Sequence, residues 1–244
     1  VFAERKPITF TGAISAANAV VTTLAGSSTG VGGTTDGPLA SGLFNQPWGV
    51  TTDGAGRVFV VDGSVSTLRL IDTMVSPSSY GYLTALAGIN SPSHTNAAGY
   101  DARFYRPAGL VRDSAGNLLV AEILNHQIRK ITFTGGVVSP STAVVSDYSY
   151  FWYGGTSGTG GRNDGPVATA TFTTPTSLAI DGGDNLYVYG GAGATGYTGF
   201  RKVTSAGGVS SIRDVAGVLS NASSEGGIAV TATTANLFIA QSSS

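Results

Sequence analysis

The sequence predicts an all-β protein assembled from four repeats, and three observations predict it: a recurring two-strand motif, strand formers punctuated by turn residues, and complementary chain ends. The motif is a proline-led strand, a turn with Asp or Gly, and a strongly apolar strand. It runs from Pro47-Trp48-Gly49-Val50 to Val58-Phe59-Val60-Val61-Asp62, from Pro107-Ala108-Gly109-Leu110 to Leu118-Leu119-Val120-Ala121-Glu122, and from Pro175-Thr176-Ser177-Leu178 to Leu186-Tyr187-Val188-Tyr189. A fourth copy, Gly226-Gly227-Ile228-Ala229-Val230 to Leu237-Phe238-Ile239-Ala240-Gln241, has no proline. The 36 glycines and 9 prolines alone would suit a disordered chain, but 41% hydrophobic residues supply enough apolar surface for a core.

Each motif reads as a β-hairpin, because its apolar runs are short and rich in Val, Ile, Phe and Tyr, and Asp53-Gly54-Ala55-Gly56 and Asp113-Ser114-Ala115-Gly116 are turn formers. A third strand follows, as in Gln127-Ile128-Arg129-Lys130-Ile131-Thr132, then a fourth ending in a small apolar signature, as in Thr84-Ala85-Leu86-Ala87-Gly88. Four antiparallel strands make one blade, so the prediction is a small β-propeller of four blades forming a single domain over residues 1–244. Alternation places Phe59, Val61, Leu119, Ala121 and Tyr187 between blades.

The ends are the most informative part. Arg5-Lys6-Pro7-Ile8-Thr9-Phe10-Thr11-Gly12 nearly repeats Arg129-Lys130-Ile131-Thr132-Phe133-Thr134-Gly135, so the chain starts at a third strand. Val20-Val21-Thr22-Thr23-Leu24-Ala25-Gly26 supplies a fourth, and the C-terminus stops after a second strand. The two ends together supply one blade, with the strand at Leu237 expected beside the strand at Arg5, which would close the ring. A fragment or an open array is the alternative.

The copy Arg106-Pro107-Ala108-Gly109-Leu110 through Asp113-Ser114-Ala115-Gly116-Asn117-Leu118-Leu119-Val120-Ala121-Glu122 to Asn125-His126-Gln127-Ile128-Arg129-Lys130-Ile131 resembles the NHL-repeat β-propeller family. The linkers with Asp36-Gly37-Pro38-Leu39-Ala40 and Asp164-Gly165-Pro166-Val167-Ala168 are similar to the connections between NHL blades, and the likeness covers nearly the whole chain. It departs from the family in blade number, in the weak fourth copy and in the insertion Gly190-Gly191-Ala192-Gly193-Ala194-Thr195-Gly196. The resemblance implies a scaffold whose members include protein-binding and RNA-binding modules, cell-surface domains and a few lyases, so it leaves function open.

With 13 basic against 14 acidic residues and only 11% charged, the chain offers no broad field for nucleic acid or an anionic membrane. No cysteine is present, which removes disulfides and thiolate sites. A surface of Ser, Thr, Asn and Gly suits an extracellular or cell-surface protein, and Asn221-Ala222-Ser223 is a candidate N-glycosylation acceptor. No apolar run is long enough for a spanning helix, and the start at Val1, with no leader, reads as a mature chain or an excised segment.

Catalytic and metal-ligating patterns do not emerge. Asp62 and Glu122 end adjacent second strands where carboxylates converge on a cation in some propellers, but the matching positions are Gly190 and Gln241; hydrogen-bonded strand ends are the expectation. His94 and His126 lack metal-ligand spacing. Arg5-Lys6, Arg129-Lys130 and Arg201-Lys202 occupy equivalent third-strand positions and read as solvated charges guarding strand edges. Tyr148-Ser149-Tyr150-Phe151-Trp152-Tyr153 is the densest aromatic run; alternation puts Tyr148, Tyr150 and Trp152 on one face, a candidate interaction surface or a packed one. The reading is a non-enzymatic extracellular or surface module that associates with a protein partner, a glycan or copies of itself, with no cofactor. A lyase- or hydrolase-like enzyme using the central channel is the alternative.

Overall fold

The computed structural model describes residues 4–5, 8–10, 19–73, 81–149, 160–161, 163–191, 199–212, 226–231 and 236–241, and nearly all the regular structure among them is antiparallel strand. Three sheets follow one plan. In the first, Pro47–Thr52, Arg57–Asp62, Thr67–Asp72 and Tyr82–Ala87 form a meander, to which Gly37–Pro38 adds a fifth strand outside the fourth. The second contains Pro107–Arg112, Leu118–Glu122, Gln127–Phe133 and Ala143–Asp147 with Ala97–Ala98 outermost. The third contains Pro175–Ile180, Leu186–Gly190, Phe200–Val203 and Gly208–Ser211 with Gly165–Pro166 outermost.

The sheets thus have five strands where the sequence predicts four. The additional strand comes from the linker before each hairpin: Gly37 pairs with Leu83 and Pro38 with Tyr82, and Gly165 with Val209 and Pro166 with Gly208. The fourth strand would otherwise present a bare edge, and a proline is tolerated where only one side of a strand is paired.

The hairpin turns are set by one aspartate each. Asp53 Oδ1 accepts from the backbone N–H of Ala55 (2.8 Å) and Arg57 (3.0 Å), Asp113 Oδ1 from that of Asn117 (2.8 Å), and Asp181 Oδ1 from Gly183 and Asn185 (both 2.9 Å). The carbonyls of Asp113 and Asp181 still accept from the Gly116 and Asp184 N–H groups, so the side-chain carboxylate adds a second acceptor inside the turn, which is why Asp recurs there.

First strands of successive sheets lie side by side, with Pro47–Thr52 against Pro107–Arg112, then Pro175–Ile180, then Gly226–Val230. Their approach requires glycine: a Cβ on Gly49 would stand 2.2 Å from the Ala108 carbonyl oxygen, and one on Gly109 would stand 2.9 Å from the Leu178 nitrogen. The faces enclose apolar cores. Phe59, Val61 and Leu68 of the first sheet pack with Leu110, Val120 and Ile131 of the second. Leu119, Ala121 and Ile128 of the second pack with Leu178, Val188 and Val203 of the third. Phe59, Val61, Leu119, Ala121 and Tyr187 are all buried, as alternation predicts.

The chain ends form separate two-stranded sheets. Gly226–Val230 and Leu237–Gln241 form a two-stranded hairpin docked on the third sheet, with Ile228 and Leu237 against Tyr189 and Phe200. At the other end, Ile8–Phe10 pairs with Ala19–Val21, and Glu4–Arg5 with Ala25–Gly26. The register Ile8↔Val21, Thr9↔Val20, Phe10↔Ala19 matches Ile131↔Val145, Thr132↔Val144, Phe133↔Ala143 of the second sheet. The N-terminal strands thus pair as the third and fourth strands of the second sheet do, and Ala25 is buried in the core on the first sheet's free side.

The expected pairing of the Leu237 strand with the Arg5 strand is not made among the described residues. Arg5 pairs with Ala25 instead, a local hairpin that closes a short loop at lower entropic cost than a contact across the whole chain.

Candidate interaction surface and the arginine clamps behind it

The third-strand arginines are the best-determined charged groups, and they correct the reading of them as solvated edge guards. Arg69, Arg129 and Arg201 are buried, with exposures of 1%, 0% and 5%. Each reaches from the middle of its sheet to the preceding linker. Arg69 donates to the Leu43 carbonyl (3.0 Å), the Thr35 carbonyl (3.3 Å) and Asp36 Oδ1 (2.7 Å). Arg201 donates to the carbonyls of Thr171 and Asn163 (both 2.8 Å) and to Asp164 Oδ1 (2.7 Å). Arg129 donates to the carbonyls of Arg103 and Thr95 (both 3.0 Å) and to Asn96 Oδ1 (2.6 Å).

A phenylalanine from the same linker lies under each guanidinium, with Phe44 and Phe104 at 5.6 Å and Phe172 at 5.2 Å from the ring centroid. Arginine suits this site because its planar fork meets several carbonyls at once and stacks on a ring, which a lysine cannot do. The carboxylate then passes the tie to the fourth strand: Asp36 accepts from the Ala85 N–H (3.0 Å), and Asp164 from the Ser211 N–H (3.0 Å). Burial raises the Asp164 carboxyl, but the Ser211 bonds and the Arg201 charge outweigh it and hold the group below the usual carboxylate range. In the second sheet Asn96 takes the linker position, and the fourth strand supplies the charge as Asp147, 3.2 Å from Arg129 Nε and 2.8 Å from His94 Nε2.

Asp62 and Glu122 are wholly buried and hydrogen-bonded. Asp62 accepts from the backbone N–H of Asn45 (2.7 Å) and Gln46 (2.8 Å). Glu122 accepts from the Tyr105 N–H (2.6 Å), Gln127 Nε2 (2.7 Å), Asn125 Nδ2 (3.1 Å) and Arg129 (3.1 Å). Among the described residues, no group of three or more His, Asp or Glu side chains is placed to hold a metal ion.

His126 is in a left-handed turn (φ 54°) and bridges two sheets, its Nδ1 accepting the Thr174 N–H at 2.9 Å. Ser66, the matching residue one repeat earlier (φ 54°), receives the Arg106 N–H in the same way at 3.4 Å. Burial holds the His126 pKa below the usual histidine value of 6.5. The unfolded chain then binds more protons than the folded one below that value, so this junction contributes stability that is present above pH 6.5 and is lost as pH falls from there through the lower folded value. In urea melts between pH 7.5 and 5.5, His126→Asn is expected to show a flatter pH dependence than the parent; equal slopes would contradict the role.

The surfaces most unlike the interior of the array lie on the first sheet and on the C-terminal hairpin. On the first sheet Val50 shares a face with its pair partner Val60 and is 47% exposed. Its counterparts Leu110 and Leu178, paired with Val120 and Val188, are 4% and 6% exposed because the preceding sheet covers them. On the C-terminal hairpin Phe238 is 59% exposed, whereas its counterparts Phe59 and Leu119 are 1% and 3% exposed under the following sheet. Trp48, 40% exposed, adjoins Val50 and carries the Arg106 guanidinium 5.0 Å from its ring.

Of the aromatic strip named from the sequence, Tyr148 is half-buried beside the second core. Tyr150, Trp152 and the sequon residue Asn221 lie outside the described residues. The exposed pair was legible in the repeat alignment, since Phe238 aligns with Phe59 and Val50 with Leu110, but only neighbouring sheets reveal that nothing described covers them.

No protein-family model and no curated protein matches the chain. Among solved structures it is similar to an auxiliary nutrient binding protein from Bacteroides ovatus, at 16% identity and TM-score 0.40, covering 58% of this chain and 33% of that one. It is also similar to a gluconolactonase-like protein (14%, TM-score 0.49, covering 85% and 59%) and to a streptogramin B lyase (14%, TM-score 0.44, covering 80% and 62%). The chain spans less than two thirds of the length of each. No described helix is long and apolar enough to cross a membrane.

Proposed function

We propose that this chain is an NHL-like, non-enzymatic association module acting outside the cell or at its surface, and that copies join through the split fourth unit. One observation carries the reading: the face bearing Phe238 and the face bearing Val50 are the two members of an interface that is buried at the other junctions, and both are exposed. Full burial of a Phe or Val side chain contributes roughly 1.5–3 kcal/mol each. Association costs several kcal/mol before any net gain, so side chains alone do not suffice. Backbone pairing between the Leu237–Gln241 strand of one copy and the N-terminal strands of the next supplies the rest, as in strand addition.

Such a contact joins different surfaces, so it propagates head to tail and gives a ring or a filament. The low charge of the chain opposes neither. Tyr148, Tyr150 and Trp152 are proposed as a second contact strip, and a glycan on Asn221 as a limit on lateral contacts.

Sedimentation velocity over a hundredfold concentration range tests the reading. Larger species are expected with rising concentration, and Phe238→Glu or Val50→Glu is expected to return the protein to a folded monomer. A monomer at every concentration whose melting temperature falls in Phe238→Glu would instead indicate closure within one chain and defeat the proposal.

A further inference from the structure

A polar cleft with room of about 150 Å³ lies between the first and second sheets, at the end carrying the Asp turns. Its walls include Arg57 and Arg112, and its floor is Phe59, Phe133 and Val138. The two phenylalanine rings are 6.1 Å apart and inclined by 33°, so the floor is a tilted aromatic pair. Asp53 is the acidic group lining the cleft. Two guanidinium groups against one carboxylate give a net positive charge.

The repeats explain why the cleft is open here. At the next junction, Asp184 in the third hairpin accepts the Ser114 N–H at 3.0 Å and its hydroxyl at 2.5 Å, which ties the two sheets together. The corresponding residues at the first junction are Gly54 for Ser114 and Gly116 for Asp184, so no such tie exists. Both cations are likewise particular to this place. Arg57 stands where the other hairpins have Asn117 and Asn185, which bond their own turn aspartates; Arg112 stands where the neighbouring first strands have Thr52 and Ile180.

Unlike the buried third-strand arginines, both of these arginines remain part-exposed at the cleft. Arg57 forms an ion pair with Asp53 Oδ2 at 3.6 Å, longer than a hydrogen bond, and its side chain stays 30% exposed. Asp53 is already committed to the N–H groups of its own turn. The Arg112 guanidinium makes no hydrogen bond or ion pair among the described residues, and it lies so close to the second turn that a Cβ on Gly116 would stand 3.0 Å from it. A carboxylate matches the geometry of a guanidinium bidentately, and both guanidinium groups line the cleft.

We propose that this cleft binds a small organic carboxylate, its charged end on Arg57 and Arg112 and its ring or apolar body on the part-exposed Phe133 and Val138. The size limits the ligand: 150 Å³ is below the range of drug-sized pockets and equals the space of about five waters, which suits a benzoate-sized molecule. This site is separate from the association surface and does not depend on it.

The test is titration calorimetry with sodium benzoate in a carboxylate-free, low-salt buffer, with inorganic phosphate as the second probe. One benzoate per chain is expected, with binding weakened about ten- to a hundredfold by Arg112→Thr and by Arg57→Asn, the effect of losing a hydrogen bond to a charged group. Both substitutions install the residue that another repeat carries at that position, so each serves as a check if the other fails to fold. No benzoate binding by the parent, binding by both variants as tight as the parent's, or phosphate binding as tightly as benzoate would overturn the proposal.

Discussion

Arg129→Met is expected to lower the unfolding free energy by about 3–5 kcal/mol, the cost of leaving a buried charge without its partner. Glu122, 3.1 Å from the guanidinium, is as completely buried as the arginine, and no water can replace the lost donor. The same substitution frees the linker carbonyls of Thr95 and Arg103 and exposes the Phe104 ring to a weaker neighbour. Arg129→Lys is expected to recover only part of the loss, since one ammonium cannot serve two carbonyls, an amide and two carboxylates together. Arg69→Met should cost less, because its carboxylate partner Asp36 is 40% exposed at the side chain and can be solvated by water. Urea unfolding curves for the three variants check the order; a loss below about 1 kcal/mol in Arg129→Met would show that the clamp is not a stabilising element.

Phe59→Ala is expected to cost roughly 3–5 kcal/mol as a large-to-small change in a packed core. The ring is 1% exposed, lies in the core between the first two sheets and meets the Phe133 ring at 6.1 Å. Phe238→Ala, the same substitution at the same repeat position, is expected to change monomer stability by no more than about 0.5 kcal/mol, as an exposed site does. The pair isolates burial from chemistry, because residue type and strand position are shared. Denaturant midpoints at low protein concentration measure it, and a loss above about 1 kcal/mol in Phe238→Ala would mean that the ring is covered within its own chain.

Much of the architecture was legible because strand repeats impose strong local rules. Alternation in Val58-Phe59-Val60-Val61 and Leu118-Leu119-Val120-Ala121 identified side chains that are indeed buried, since a period of two leaves only two faces to choose between. The likeness of Ile8-Thr9-Phe10 to Ile131-Thr132-Phe133 marked both as third strands, and each is found paired with the strand that follows it, in matching register. The fifth strand was not legible: Gly37–Pro38 and Gly165–Pro166 are two residues long, and a proline argues against strand until an unpaired edge is available beside it.

The candidate sites divide in the same way. Sequence determined by itself that the chain is a β-repeat protein and that third-strand arginines and turn aspartates occupy equivalent positions, because each is a statement about spacing along the chain. Tertiary structure alone decided that Arg69, Arg129 and Arg201 are interior clamps, since their acceptors are carbonyls of linkers 26 to 38 residues away and carbonyls carry no residue signature. It also decided that Val50 and Phe238 lie open while their counterparts are covered, and that Arg57 meets Arg112 over a common aromatic floor. Burial and convergence depend on which sheet stands next to which, and that is fixed by long-range packing.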